Sequence, residues 1–396
     1  SVWSGHGVIL NSALLKSFGY DTLTNVPLGG FIERDGSGRP TGLVHEYAWW
    51  SVSARSEASQ PIAALRAAHE RYAMEALRMG ITSVQQMSSL DPEIALLVAC
   101  GAETPLRVRL IAMPMTTARG RTGTTFSSRA CPPGSAGQVT VSGTKYVLDG
   151  TPVERFAFER LPYADRPNER GHLNFPPDSL AVFLRESLDR RDQLVLHAVG
   201  DSTISLVLET MRRVAPDSVW RAMRVRIEHG DGLPPDRFKQ ARELGIVFVQ
   251  NGTHLAIAPL VAQRYSAGRR ARLQPLASLR REGLPFALGS DGAPHPFLDI
   301  MLATMHPDNP MEALSREDAV RAYTRGSAFA EGAEQEKGGL GVGMLADLAM
   351  LSQDIFTIEL RALPSTVSVL TVVGGKVAYD GRRPPASTLP RVRGDG

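Results

Sequence analysis

Gln193-Leu-Val-Leu-His197-Ala-Val and Arg224-Val-Arg-Ile-Glu-His229-Gly are two near-copies of one phrase, an apolar run that ends in a histidine. Between them, residues 202–213 carry apolar side chains at helical spacing. A strand, a helix and a second strand predict a βαβ unit whose two strands are parallel neighbours. His197 and His229 are then expected at the same level, at the carboxyl ends of adjacent strands, where α/β folds bind ligands.

The same alternation of helix and strand extends over most of the chain. The predicted helices are 62–79, 91–100, 179–191, 202–213, 235–244, 271–283 and 315–329, and the predicted strands are 80–87, 107–113, 143–148, 193–198, 224–229, 245–250 and 284–290. This pattern predicts the α/β class and a (β/α)8 TIM-like barrel, residues 55–337, that contains strands two to eight. Nothing before Gln60 supplies the first strand, so we expect it upstream of Ser1.

Two flanking pieces lack this alternation. Residues 1–54 are rich in glycine and polar residues and predict an insert of short strands, with a hairpin signal at Asp35-Gly-Ser-Gly38. Residues 338–383 predict a small β-sandwich module, with Gly374-Gly375 in the turn of a hairpin. The tail, 384–396, is expected to be frayed.

The composition excludes several classes of protein. A net charge of +3 with 43% hydrophobic and 21% charged residues is ordinary for a globular protein. No basic block with interleaved aromatic residues predicts a nucleic-acid partner, and no apolar run has membrane-spanning length. Because no leader is visible, we expect a cytoplasmic location, although the chain begins with Ser1 and not with methionine. Two cysteines, Cys100 and Cys131, make neither a disulfide framework nor a thiolate metal site.

The ends of the predicted strands carry residues that can bind a metal ion. Lys145, His197, His229 and Asp291 would meet at one mouth of the barrel, and His254 lies just beyond another strand end. Neutral imidazoles bind Zn²⁺ and similar ions, and a carboxylate adds negative charge. A metal ion makes hydroxide available near neutral pH. An aspartate beside that water can take its proton and deliver it to a leaving nitrogen, which is the catalytic role predicted for Asp291.

Lys145 has two interpretations from sequence alone. An ammonium group beside two metal-binding histidines would repel the ion, but a desolvated lysine can lose its proton. The neutral amine can then react with CO₂ to give a carbamate, an oxygen ligand that can bridge two metal ions. Alternatively, Lys145 is simply paired with Asp149 or Asp291.

These residues together resemble the amidohydrolase superfamily. The resemblance rests on Lys145 in its strand, Leu196-His197-Ala, Ile227-Glu-His229 and Gly289-Ser-Asp291. It is closest to the amidohydrolase-3 branch, which includes N-substituted formamide deformylase-like proteins. Further phrases agree along nearly the whole chain: Ser4-Gly-His6, Asn11-Ser12, Arg39-Pro-Thr-Gly42, Gly80-Ile-Thr-Ser83, Ala322-Tyr-Thr324 and Gly341-Val-Gly-Met-Leu-Ala-Asp347-Leu.

The resemblance implies a metal-dependent hydrolase of non-peptide C–N bonds in small amides, N-acyl or N-formyl compounds, on a barrel flanked by a composite β-sandwich. It implies one or two divalent ions, with Zn²⁺ expected, held by His197, His229, Asp291 and a carboxylated, bridging Lys145. It places His6 and His254 near the substrate. A homodimer is possible, and neither nucleic acid nor membrane is an expected partner.

The sequence departs from the family at two points. The family begins its barrel with a His-x-His strand, and no His-x-His occurs in this sequence. Gln250-Asn-Gly-Thr-His254 stands where the family usually has Gln-Pro-x-His. Two alternatives to an amidohydrolase therefore stay open. One is a truncated, non-catalytic barrel that acts as a binding scaffold, and the other is a metal-dependent isomerase on the same fold.

Overall fold

The computed structural model describes residues 4–22, 25–121, 129–135 and 137–382. The strands are β1 (Gly7–Ile9), β2 (Gly30–Arg34), β3 (Pro40–Glu46), β4 (Ser83–Ser88), β5 (Arg107–Ala112), β6 (Thr116–Thr117), β7 (Gly120–Arg121), β8 (Arg129–Ala130), β9 (Gln138–Val147), β10 (Leu194–Ala198), β11 (Arg226–His229), β12 (Val247–Gln250), β13 (Phe286–Leu288), β14 (Leu348–Leu351), β15 (Ser368–Val373) and β16 (Lys376–Asp380).

The α-helices are α1 (Ser12–Phe18), α2 (Tyr47–Ala58), α3 (Ile62–Arg78), α4 (Pro92–Cys100), α5 (Pro177–Arg190), α6 (Asp201–Val214), α7 (Asp217–Met223), α8 (Phe238–Leu244), α9 (Ala258–Arg264), α10 (Ala267–Arg270), α11 (Leu276–Arg281), α12 (Pro296–Met305), α13 (Arg316–Arg321) and α14 (Ser327–Glu331). Short 3₁₀ turns and one π-helical turn, Ala322–Gly326, complete the described secondary structure.

A curved parallel sheet forms the centre of the molecule. Its strands follow in the order β4, β5, β9, β10, β11, β12 and β13, and each neighbouring pair is parallel. All seven predicted barrel strands are therefore confirmed, in chain order. Within the described residues, no strand pairs with the outer edge of β4 or of β13. The sheet is thus an open part of a TIM-like barrel, as its strand count predicted.

Apolar periodicity explains how the helices pack on this sheet. In α6, Ile204, Val207, Leu208 and Met211 recur at the spacing of one helix face, and all four are fully buried in the main hydrophobic core. Strands β10 and β11 contribute Leu196, Ile227 and further apolar side chains to the same core. The predicted helix at 202–213 is confirmed. Its apolar face explains why it packs against the sheet.

The N-terminal insert is more helical than the sequence predicted. Its strands form an antiparallel sheet in the order β1, β3, β2, and the predicted hairpin at Asp35–Gly38 joins β2 to β3. Helix α2 follows directly and runs through the boundary expected after residue 54. The Tyr47 hydroxyl accepts a hydrogen bond of 3.1 Å from Val147 N, which fastens this helix to the end of β9.

The C-terminal strands form a second small antiparallel sheet, in the order β14, β15, β16. Gly374 and Gly375 form the predicted turn, and both have positive φ values, 58° and 76°, that favour glycine. Arg107 Nε lies 2.9 Å from Asp347 Oδ2, and the Thr371 hydroxyl donates to Leu77 O. These contacts join the small sheet to the barrel. The predicted tail at 384–396 lies outside the described residues.

The two cysteines form a disulfide bond that the sequence did not predict. Cys100 at the end of α4 and Cys131 after β8 have Cα atoms 5.4 Å apart and are 31 residues apart in the chain. The bond ties the segment that returns toward β9 to the helix before β5.

In the part of the chain that the structure describes, no helix has both the length and the apolar character needed to cross a membrane.

Reduction of this disulfide should lower the free energy of unfolding. For a loop closed over 31 residues we expect a loss of about 3 to 4 kcal/mol, since the bond restricts the unfolded chain. Denaturant unfolding with and without a phosphine reductant measures this loss. The Cys100→Ser/Cys131→Ser variant should be insensitive to reductant. An unchanged midpoint for the natural chain would contradict the prediction.

Candidate metal centre

His197 and His229 lie side by side at the carboxyl ends of β10 and β11. Their ring centroids are 4.5 Å apart in a T-shaped arrangement. In the parallel register, Ala198 and not His197 is the partner of His229, so the two histidines are offset by one residue. The prediction that His197 and His229 lie at the same level of the sheet is therefore correct to within one residue. His229 has a positive φ of 70°, which turns the chain sharply at the end of its strand.

Asn251 fixes the orientation of His229. Asn251 Nδ2 donates a hydrogen bond of 2.9 Å to Gly289 O. The atom of Asn251 that lies 2.8 Å from His229 Nδ1 is therefore Oδ1, which can only accept a hydrogen bond. Nδ1 therefore carries the hydrogen of the neutral ring. Burial lowers the pKa of His229 to about 4, which keeps the imidazole neutral near pH 7. A neutral imidazole held by an oxygen acceptor is a typical metal ligand.

His197 is buried and has one unpartnered ring nitrogen. Its Nε2 has no hydrogen-bond partner among the described residues and lies 3.8 Å from Asp149 Oδ1. Burial, together with the charges of His229, His6 and Lys145, lowers the pKa of His197 well below its ordinary value. The Asp149 carboxylate is itself held in place by four hydrogen bonds. Its donors are the backbone N–H groups of Phe158, Val199 and Gly200 and the Thr203 hydroxyl.

Lys145 is buried in β9 below the two histidines. It pairs in register with Val195, two residues before the level of His197. Burial lowers the pKa of Lys145, although the carboxylates of Glu228 and Asp291 oppose this effect. No described Asp or Glu carboxylate lies within 4.0 Å of Lys145 Nζ, the limit for an ion pair. The alternative pairing of Lys145 with Asp149 or Asp291 is therefore absent. The charge of Lys145 nevertheless lowers the pKa of both His197 and His229.

Asp291 and His254 face each other across the mouth of the barrel. His254 Nε2 lies 3.7 Å from Asp291 Oδ2, and His229 Nδ1 lies 4.0 Å from the same oxygen. The Asp291 side chain is 56% exposed, and this exposure is to a cavity that it lines. Burial of the site would raise the pKa of Asp291, but His254, His229 and Lys145 outweigh it and hold that pKa far below its ordinary value.

Asp231 holds the other side of His254. Asp231 Oδ2 lies 2.8 Å from His254 Nδ1. Burial lowers the pKa of His254, but the carboxylates of Asp231 and Asp291 dominate and raise it to about 10. His254 therefore lies between two carboxylates and also stacks on His229, with ring centroids 5.0 Å apart.

His6 reaches the site from the N-terminal insert. Its ring centroid is 5.1 Å from that of His197, and its Nδ1 lies 2.8 Å from Glu46 Oε1. Glu46 is fully buried, has a positive φ of 55°, and accepts a further hydrogen bond of 2.9 Å from Asn174 Nδ2. Burial lowers the pKa of His6, but Glu46 outweighs it and raises the pKa above its ordinary value.

A cavity of about 310 Å³ opens above these side chains. The predicted site residues that line it are His6, His197, His229, His254 and Asp291. The apolar part of its lining is formed by Pro152, Val153, Leu255, Ile257, Val261 and Leu273. The loop at 150–175 contributes Thr151, Pro152 and Val153 to the lining of this cavity. None of the described residues of the loop at 116–138 lines it.

Sequence reasoning missed some of the residues that hold the site together. Glu46 and Asp231 are the acceptors for His6 and His254, and neither was predicted, whereas Asn251, the acceptor for His229, was recognised at the end of its strand. A polar network inside the barrel was also missed. There Arg226 Nε lies 2.9 Å from Glu228 Oε1, and Gln85 Oε1 accepts hydrogen bonds from both Arg226 and Arg109. The alternating charges of Arg224-Val-Arg-Ile-Glu-His229 were the available signal.

Comparison with known proteins identifies the family. The model of the amidohydrolase family, Amidohydro_3, matches residues 3–379. The chain belongs to this amidohydrolase family. It is 28% identical over 404 residues to the protein LONG AFTER FAR-RED 3 of Arabidopsis thaliana, covering 95% of this chain and 67% of that protein.

A second relative and a solved structure agree with the family. The chain is 26% identical over 408 residues to the N-substituted formamide deformylase of Arthrobacter pascens, covering 95% of this chain and 72% of that protein. It is also similar to the crystal structure of an uncharacterised metal-dependent hydrolase from Pyrococcus furiosus. That similarity has a TM-score of 0.68 at 19% identity and covers 89% of this chain and 71% of the other.

The family resemblance expected from the sequence is thereby confirmed. This amidohydrolase chain has the fold of metal-dependent hydrolases, and its class is that of hydrolases that cleave C–N bonds. In the described residues, the mouth of its barrel brings together His229, His254 and Asp291 as a group that could hold a divalent metal ion.

Replacement of Glu46 by glutamine should lower the pKa of His6. With the carboxylate removed, burial dominates and favours the neutral ring. A pH titration of the His6 ring signals by NMR measures the change. Glu154→Gln is the matched control, because Glu154 raises the pKa of His6 less and should give a smaller decrease. Equal decreases in the two variants would contradict the assigned partner.

Proposed function

We propose that this chain hydrolyses a small, non-peptide amide, cleaving a C–N bond of an N-acyl or N-formyl group with the help of a divalent metal ion. The observation that carries the proposal is the convergence of His197, His229 and Asp291 on one cavity. The family of the chain and its similarity to a formamide deformylase support it.

The residues at the mouth fit a divalent metal ion. His197 Nε2 is a buried nitrogen that has no hydrogen-bond partner among the described residues, which is costly unless it binds something. The low pKa values of His197 and His229 keep both rings neutral, as ligation requires. Imidazole and carboxylate donors suit Zn²⁺, so we propose zinc, with Lys145, His197, His229 and Asp291 as its ligands.

Lys145 can join this set only as an anion. The ammonium form would repel the ion, while its depressed pKa favours the neutral amine that reacts with CO₂. The absence of any carboxylate partner within 4.0 Å, in the described part of the chain, leaves the amine free of an ion pair. We therefore propose that Lys145 is carboxylated in the metal-loaded protein.

Asp291 is the group proposed to move the proton. A divalent metal held at this mouth would make hydroxide available near neutral pH. Asp291 is ionised near neutral pH, so its carboxylate can accept the proton of the attacking water. Asp291 then delivers that proton to the amide nitrogen, which leaves as an amine. His6 and His254 are the proposed substrate contacts of this scheme.

His6 is suited to hold the amide carbonyl. Glu46 occupies its Nδ1, so Nε2 is the nitrogen left to meet a substrate in the cavity. The raised pKa of His6 favours a ring with both nitrogens protonated, which can donate to the carbonyl oxygen. The apolar lining of the cavity would receive an apolar substituent of the substrate.

A panel of substrates tests the proposed function. The zinc-loaded chain is assayed with N-formyl, N-acetyl and simple carboxamide compounds for release of amine. A ketose panel tests the alternative of an isomerase. Amine release that a chelator abolishes and zinc restores would support the proposal. Zinc binding without turnover of any amide would instead favour the non-catalytic scaffold.

Alanine substitutions of the two strand-end histidines should remove the metal. His197→Ala and His229→Ala are each expected to lose bound zinc and activity, because each removes one neutral nitrogen donor. Elemental mass spectrometry of the purified variants measures zinc per chain. His69→Ala is a control, since His69 lies on α3 outside the site. Full zinc content in both test variants would overturn the ligand assignment.

Asp291→Asn should affect catalysis more than substrate binding. Without a proton acceptor, kcat should fall by roughly 10²- to 10⁴-fold, with a smaller change in KM. Steady-state kinetics at saturating zinc measures both constants. Asp308→Asn is the matched control, because Asp308 is another acidic residue that lines the cavity. An unchanged kcat for Asp291→Asn would exclude the proposed role.

The cellular location and the homodimer stay predictions of the sequence. The disulfide between Cys100 and Cys131 is more typical of an oxidising compartment than of the expected cytoplasm. Alkylation of free thiols in intact cells, followed by mass spectrometry, would distinguish the two locations. The mass of the purified chain in solution tests the dimer.

A further inference from the structure

Three potential ligand atoms lie together at the edge of the cavity. A ligand nitrogen of His229, a ligand nitrogen of His254 and a carboxylate oxygen of Asp291 all lie within 4.8 Å of one another. Two of these residues already belong to the proposed metal set. The third, His254, was expected beside the substrate, in a segment where the sequence departs from its family.

The separation of His254 from Asp291 fits a shared ion. His254 Nε2 and Asp291 Oδ2 are 3.7 Å apart, which is longer than a hydrogen bond. Two ligands of a tetrahedral zinc ion lie about 3.3 Å apart, given bonds of about 2.0 to 2.1 Å. A small movement of either side chain would therefore bring both atoms onto one ion.

Asp231 orients His254 for this role. Its Oδ2 lies 2.8 Å from His254 Nδ1, so it accepts the hydrogen of that nitrogen. Nε2 is the nitrogen that faces Asp291, and it can bind a divalent ion once that ion displaces the proton on this nitrogen. Metal-binding histidines usually have such a carboxylate or carbonyl partner on the far nitrogen. Asn251 plays the corresponding part for His229.

We propose that His254 is a ligand of the divalent metal ion, together with His229 and Asp291, and that Asp231 is its positioning residue. This inference rests on the proposed metal-dependent function and changes the role of His254 within it. The donor set of two nitrogens and one carboxylate oxygen suits Zn²⁺. The ion would then have a nitrogen ligand from the segment after β12. The sequence motifs had placed this histidine near the substrate and not among the metal ligands.

Zinc affinity of the purified chain tests the proposal without any substrate. Competition with a chromophoric chelator measures the Kd for Zn²⁺ in the unmodified chain and in His254→Asn. We expect His254→Asn to weaken zinc binding by at least 100-fold at this ion. Asp231→Asn should weaken it by about 10- to 100-fold, as for other orienting carboxylates. Circular dichroism confirms that each variant is folded.

Matched variants separate this role from the alternatives. His69→Asn makes the same change on α3, outside the site, and should leave the zinc affinity unchanged. A His254→Asn variant that binds zinc as well as the unmodified chain but has a raised KM would establish a substrate contact and overturn the inference. Failure of the unmodified chain to bind zinc would overturn it as well.

Anomalous diffraction from zinc-soaked crystals of the unmodified chain needs no variant. We expect a zinc peak at bonding distance, about 2.0 to 2.1 Å, from His254 Nε2. A zinc peak bonded to His197 and His229 with none at His254 would overturn the inference. Turnover assays report on the proposed function separately. Zinc on His254 without hydrolysis of any amide would refute the proposed activity and leave the ligand assignment intact.

Discussion

The parallel hydrogen-bonded register of β10 and β11 is the constraint on which the site depends. It pairs Ala198 with His229, one residue beyond His197, and the positive φ of 70° at His229 turns the chain there, where the rings of His197 and His229 lie 4.5 Å apart. The apolar residues of both strands anchor this register, because a slip by one residue would turn their core side chains away from the helices that cover the sheet. The other site residues are built around this fixed pair, from β9, from the segments after β12 and β13, and from the insert.

Burial sets the chemistry of each side chain at this mouth. It lowers the pKa values of His197, His229 and Lys145, which favours the uncharged forms that can act as ligands or react with CO₂. Neighbouring carboxylates reverse this effect at His6 and His254. The site therefore has an inner part in which burial favours uncharged groups and an outer part in which histidines and carboxylates are paired.

The interior of the barrel below the site is polar. Arg226 is paired with Glu228, and Gln85 accepts hydrogen bonds from Arg226 and Arg109. Burial lowers the pKa of Arg109 to about 10, and the nearby charge of Arg226 adds to the effect. A buried network of this kind is favourable only when its groups are partnered, so it constrains strands β4, β5 and β11 to one arrangement.

The sequence by itself determined the fold and the residues that we propose as central ligands. Seven strand patterns, most of them separated by amphipathic helices, give the strand order, since local periodicity and the handedness of βαβ units leave few topologies. Histidines at the ends of two such runs follow from the same pattern. Tertiary structure alone decided the partners: Glu46 for His6, 40 residues apart, Asp231 for His254, 23 residues apart, and Cys100 for Cys131, 31 residues apart. Such contacts join segments through the packing of the whole barrel, and no local spacing of residues encodes them.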